Sequence, residues 1–120
     1  MKYMLLIHTS KDRWETLTQQ DKEGFLAEYI SFTEKITASG EHIDGAPLAH
    51  RSSSRAVRVR HDHVQVEDGP LTDADEYLSG YYLVECADLD RATEIAAEIP
   101  DAKLNVVEIR PLAPMGVLED

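Results

Sequence analysis

Apolar and polar positions along the chain follow two rhythms, and the switches between them mark the elements. From Lys2 to about Thr9, Tyr3, Leu5 and Ile7 fall on one parity and Met4 and Leu6 on the other, which predicts a central strand covered on both sides. A polar loop holding Trp14 follows. Helical spacing then takes over at Phe25, Tyr29, Phe32 and Ile36, flanked by Leu26 and Ile30. The helix is expected to start near Thr18, whose hydroxyl can cap, while Asp21 three residues on suits the positive end of the helix dipole. Gly40 stands where a left-handed cap would end it.

Further along, a strand around His42 to Leu48 is interrupted by Gly45 and Pro47, and Arg51 to Ser54 reads as a loop. Val57 and Val59, then Val64 and Val66, alternate on either side of Arg60-His61-Asp62-His63, predicting a hairpin with the charged tetrad at its tip. Asp68-Gly69-Pro70 turns the chain, and Thr72 to Ser79 is acidic and irregular or a short helical turn. Gly80 to Ala87 reads as a second central strand. Asp88 caps a second helix in which Leu89, Ala92, Ala96 and Ile99 face inward and which Pro100 closes; Asn105 to Arg110 is the last strand, stopped by Pro111.

Strand, helix, strand, inserted hairpin, strand, helix, strand is the order of an α+β fold of the ferredoxin-like split βαβ kind, with both helices on one sheet face. Residues 1–112 form one domain in this reading and 113–120 a loosely held tail. Tyr81, Tyr82, Leu83, Val84, Val106, Val107 and Ile109 are more apolar groups than one helical layer hides. The open sheet face is therefore expected to pack against a second subunit, making a homodimer.

Charge narrows the partners. A formal net charge of −11 repels a phosphate backbone, so nucleic acid is not expected as a partner. Arg51, Arg55, Arg58 and Arg60 are clustered, but alternation puts Arg58 and Arg60 opposite the valines, as on a solvated sheet face. No apolar run is long enough to span a bilayer, and the first strand lacks the small-residue cleavage site of a signal peptide. With the single cysteine Cys86, no intrachain disulfide can form, which points to a reducing, cytoplasmic setting and removes any cysteine-rich zinc site.

Three stretches together resemble the YCII-related family in its DGPF-domain branch: Met1-Lys2-Tyr3-Met4-Leu5-Leu6-Ile7; Asp68-Gly69-Pro70-Leu71 with Gly80-Tyr81-Tyr82-Leu83; and Ile99-Pro100 with Val107-Glu108-Ile109-Arg110-Pro111. The resemblance covers nearly the whole chain. It implies a ferredoxin-like fold that dimerises into an α/β barrel, with a cavity between helices and sheet or between subunits. Genes of that branch often neighbour extracytoplasmic-function sigma factors, which implies a regulatory or stress setting. This chain departs from the pattern in Leu71 where the family has Phe, in Asp73-Ala74-Asp75-Glu76 where it has a lysine-containing segment, and in His8 where the first strand commonly ends in Tyr. The His-Asp pair suggested for the broader family has no counterpart in Gln20-Asp21-Lys22, so that dyad is not carried over.

Chemistry must then come from the chain's own residues. His8, at the end of a central strand, suits proton transfer, and Asp68 in its turn could aim a carboxylate beside it. The expected function is a cofactor-free lyase or isomerase with His8 as base and Asp68 as orienter or partner acid; the alternative is a non-catalytic dimer that binds or senses a small molecule. Tyr81, Glu76 and Arg110 are the candidate ligand contacts, one of Tyr81 and Tyr82 being core and the other free to line a cavity. Glu85 and Glu108 fall in strands where a buried charge needs a partner, and Arg110 is available to one of them. His42 and His50 flank an irregular segment without an obvious partner. His61 and His63 supply only two imidazoles where a metal needs three or four ligands, so no metal is expected, and no phosphate loop or dinucleotide fingerprint calls for a cofactor.

Overall fold

Alternation in β1 (Lys2–Ser10) sorts its side chains by face: Tyr3, Leu5 and Ile7 are buried, whereas Met4, Leu6 and His8 are half-buried on the other side. The computed structural model describes residues 1–11, 13 and 15–116, so Trp14 and the last four residues of the tail lie outside the described residues. Helix α1 (Gln19–Ala38) starts as its sequence dictates: the Thr18 hydroxyl accepts from the Asp21 backbone N–H and the Asp21 carboxylate accepts from the Thr18 N–H, each at 3.1 Å. Its buried stripe is narrower than the apolar pattern, because Phe32 and Ile36 reach the core while Leu26 and Ile30, one row round the helix, stay exposed.

The remaining elements are β2 (His42–Pro47), a single 3₁₀ turn (Arg51–Ser53), β3 (Arg55–Arg60), β4 (His63–Asp68), β5 (Glu76–Glu85), α2 (Leu89–Ala97), α3 (Asp101–Leu104) and β6 (Val106–Pro111). Strands β2, β5, β1 and β6 form one antiparallel sheet in that order, with the helices on one face, which is the ferredoxin-like arrangement. Tyr3, Leu5, Ile7, Tyr82 and Val84 from the sheet meet Phe32, Ile36, Ala92, Ile95, Ala96 and Ile99 in one core. Gly45 lets β2 approach closely, since a Cβ there would stand 2.8 Å from Cδ1 of Tyr82. A forked ion pair from Arg91 to Glu41, at 2.9 and 2.8 Å, ties α2 to the entrance of β2 and pulls the Glu41 carboxyl down to about 2.

Three expectations are corrected. The acidic stretch before Gly80 is not irregular throughout: β5 begins at Glu76, because Glu76, Tyr77 and Leu78 pair with Ser10, Thr9 and His8, and the register shifts at Ser79 before continuing at Gly80. Pro100 does more than close α2, since its fixed φ also opens the one-turn α3. Glu85 and Glu108 are exposed; the buried carboxylate among the described residues is Asp101, which α3 brings into the interior.

The hairpin forms as expected and stands apart. Among the described residues β3 and β4 pair only with each other, and the left-handed residues His61 and Asp62 turn the tip. A thickness of 20 Å matches one sheet and one helical layer. Among the described residues no helix is long and apolar enough to cross a membrane.

Candidate functional site

The end of β1, the start of β5 and the turn after β2 meet at a cleft of about 300 Å³ lined by Lys11, His50, Arg51, Pro70, Asp73 and Tyr77, among others. Backbone bonds fix these segments: Lys11 N–H donates to the Asp75 carbonyl, Leu48 N–H to Ser79 and Gly69 N–H to Ser54, the last at 2.7 Å. Gly69 holds φ +107° there, so the Asp-Gly-Pro turn delivers Pro70 to the cleft wall. Nδ1 of His50 accepts from the Ser52 N–H and caps the 3₁₀ turn that presents Arg51.

Arg51 dominates the cleft. Its side chain is only 12% exposed, its guanidinium carbon lies 4.3 Å above the Tyr77 ring, Nη1 donates to the Ala74 carbonyl at 2.6 Å, and Nη2 stands 3.4 Å from Asp73. The His50 ring lies edge-on to Tyr77 at 6.3 Å. Among the described residues nothing holds the Lys11 ammonium or Nε2 of His50, so both remain available as donors next to Arg51. In the sequence Arg51 groups with the solvated arginines and His50 has no obvious partner. The signal that was present is the His-x-Ser spacing of a cap, and the contact it serves, Tyr77, is 26 residues away.

The residues predicted as sites are dispersed. His8 faces the open side of the sheet, where Nε2 lies 3.5 Å from Oε1 of Glu108. Asp68 ends β4 and accepts from Nε of Arg55 at 2.8 Å, with its side chain 81% exposed, and no hydrogen bond joins it to His8 among the described residues. Tyr81 shares the open face and donates to Asp44 at 3.3 Å, whose charge pushes the phenol up. Tyr82 is the core member of the pair. Glu76 is exposed opposite Ser10, and Arg110 sits opposite Met4 with no ion pair among the described residues, so Glu108 takes its partner from His8 instead. His61 and His63 are exposed at the arm's tip, and no group of three or more metal-ligating side chains occurs among the described residues.

A buried polar pair went unpredicted. The Tyr29 hydroxyl donates to Asp101 Oδ1, and burial pushes the Asp101 carboxyl up and the Tyr29 phenol well above its ordinary range. Close by, Tyr82 and Thr33 hydroxyls share a hydrogen bond of 2.6 Å. A second, more apolar cleft of about 350 Å³ between α1 and α3 has Phe25 and Leu104 in its walls, and of its charged groups Asp21, Glu28 and Lys103 the last two face each other at 3.8 Å.

Comparison with known proteins finds a family and a relative. The YCII-related domain matches residues 1–116. An uncharacterised protein of Rhizobium meliloti (strain 1021) is 26% identical over 115 residues, covering 94% of this chain and 93% of that protein.

Proposed function

The chain belongs to the YCII-related family, and from that premise we propose that it is a homodimer that binds a small organic anion, of the carboxylate class, in the Arg51–Tyr77 cleft. The observation that carries the reading is the nearly buried guanidinium of Arg51, stacked on Tyr77 and open to a volume of about 300 Å³ beside Lys11 and His50. In a chain with a net charge of −11, these are donors placed where an anion would otherwise be repelled. The homodimer rests on the open sheet face, where Met4, Leu6, Tyr81 and Leu83 are half-buried and Leu78 and Val106 are 41% and 40% exposed with no covering layer among the described residues.

A thermal-shift and calorimetric screen against small carboxylates tests the ligand. A ligand present at a hundredfold excess over its Kd should stabilise the fold by about 2.7 kcal/mol, and Lys11→Gln or His50→Gln, both at exposed positions, should weaken binding tenfold or more. Stabilisation by no carboxylate, or binding indifferent to both substitutions, would remove the reading.

The 3.5 Å approach of His8 to Glu108 favours a second reading, a cofactor-free lyase or isomerase acting between subunits, with His8 as base and Glu108 in the orienting role first given to Asp68. Such an enzyme would exchange an acidic C–H of its ligand for solvent deuterium. His8→Gln should slow that exchange by about a hundredfold or more; exchange at the same rate in the variant would leave binding alone.

A further inference from the structure

The arm made by β3 and β4 places Val57 and Val59 opposite Val66 and Val64 on one face, with Arg58, Arg60, Gln65 and His63 on the other. Those four valines are 59%, 57%, 52% and 66% exposed in the order Val57, Val59, Val66, Val64. Together they present roughly 300 to 400 Å² of contiguous apolar surface, within the range of the largest patch on a monomer, which is often functional. An isolated two-stranded hairpin is marginal in water, so an arm of this kind needs a surface to lie against. Its projection also accounts for a radius of gyration of 16.6 Å, against about 14 Å for a compact chain of this length.

We infer that the valine face of the arm packs on a second copy of this chain, a contact that extends, and rests on, the homodimer proposed above. Area selects that occupant. Four strands about 4.8 Å apart, each paired over some 20 Å, offer roughly 400 Å² per subunit, about half of the roughly 800 Å² that a stable interface takes from each partner. The valines supply most of the difference. Charge selects it as well: residues 55–68 hold three arginines against Asp62, Glu67 and Asp68, so the arm is neutral and the other 106 residues carry the whole −11. The arm is therefore the part of one acidic subunit that approaches another without like-charge repulsion.

Sedimentation equilibrium on the full chain, with hydrogen exchange of the arm amides, tests both levels. The wild type should show twice 13.5 kDa with arm amides protected, and Val59→Ser with Val64→Ser should raise the dimer dissociation constant tenfold or more and expose those amides. Val59→Thr with Val64→Thr keeps the branched shape and serves if the serine pair misfolds. A wild-type dimer whose constant moves less than twofold in both pairs overturns the arm contact and leaves the sheet-face dimer standing. A wild type that stays at 13.5 kDa at every concentration overturns both. Co-sedimentation with phosphatidylglycerol vesicles, lost in the serine pair while its dimer constant is unchanged, would reassign the valines to a lipid surface and overturn the inference.

Discussion

Tyr82→Ala should cost about 4 kcal/mol and lower the Tm by roughly 10 to 20 °C, a large part of the roughly 5 to 15 kcal/mol that holds a domain folded. The side chain is the hub of the core's aromatic layer. Its ring meets Phe32 edge-on at 5.1 Å, lies parallel to Tyr29 at 6.5 Å and takes the edge of His42 at 6.0 Å. It also fills the space that the missing side chain of Gly45 leaves open, so truncation opens a void that an adjacent strand cannot close. Tyr82→Phe should cost only about 1 kcal/mol, the net value of the hydrogen bond to Thr33, because Thr33 keeps its other bond to the Tyr29 carbonyl. Equal losses in the two variants, measured by urea unfolding, would show that the hydroxyl rather than the ring holds this layer.

Tyr29→Phe should destabilise the protein by about 2 to 3 kcal/mol near neutral pH and by much less near pH 4. Asp101 is 8% exposed, and burial has already raised its carboxyl above the ordinary value while the Tyr29 hydrogen bond opposes that rise. Without the hydroxyl, the rise is larger. A carboxyl raised in the folded state contributes most below its unfolded value of about 3.9, where it is neutral in both states, and that contribution is lost as pH climbs through the folded value. The gap between wild type and variant must therefore widen from acid to neutral pH. Unfolding curves from pH 4 to 8 with a constant gap would mean that Asp101 is not held as a charge by Tyr29.

Most of the fold was legible because its cues are local. Parity in residues 2–9 and the valines of the arm, helical spacing from Phe25 to Ile36, and the caps at Thr18 and Asp88 each act over a few residues and survive into the structure. What escaped depends on distant partners. Tyr29 meets Asp101 across 72 positions, and neither residue signals the other. Arg51 looks like its solvated neighbours until Tyr77 is brought beneath it. The same reasoning placed His8 and Asp68 together only by assuming that two strand ends converge; in the structure each is satisfied within its own sheet, by Glu108 and by Arg55. Glu76 to Leu78 read as irregular because their acidic surroundings hide a pairing that β1 supplies.

The extra residue at Ser79 has a wider effect than a local kink. In an uninterrupted strand every second side chain shares a side, so Tyr77 would fall with Tyr81 on the uncovered side and Leu78 with Tyr82 beneath the helices. Adding one position inverts that phase: Tyr77 turns inward to carry Arg51, while Leu78 joins His8 outside. A single strand thus serves two opposed surfaces, and the Arg51 cleft and the open sheet face can vary in sequence independently on either side of one serine.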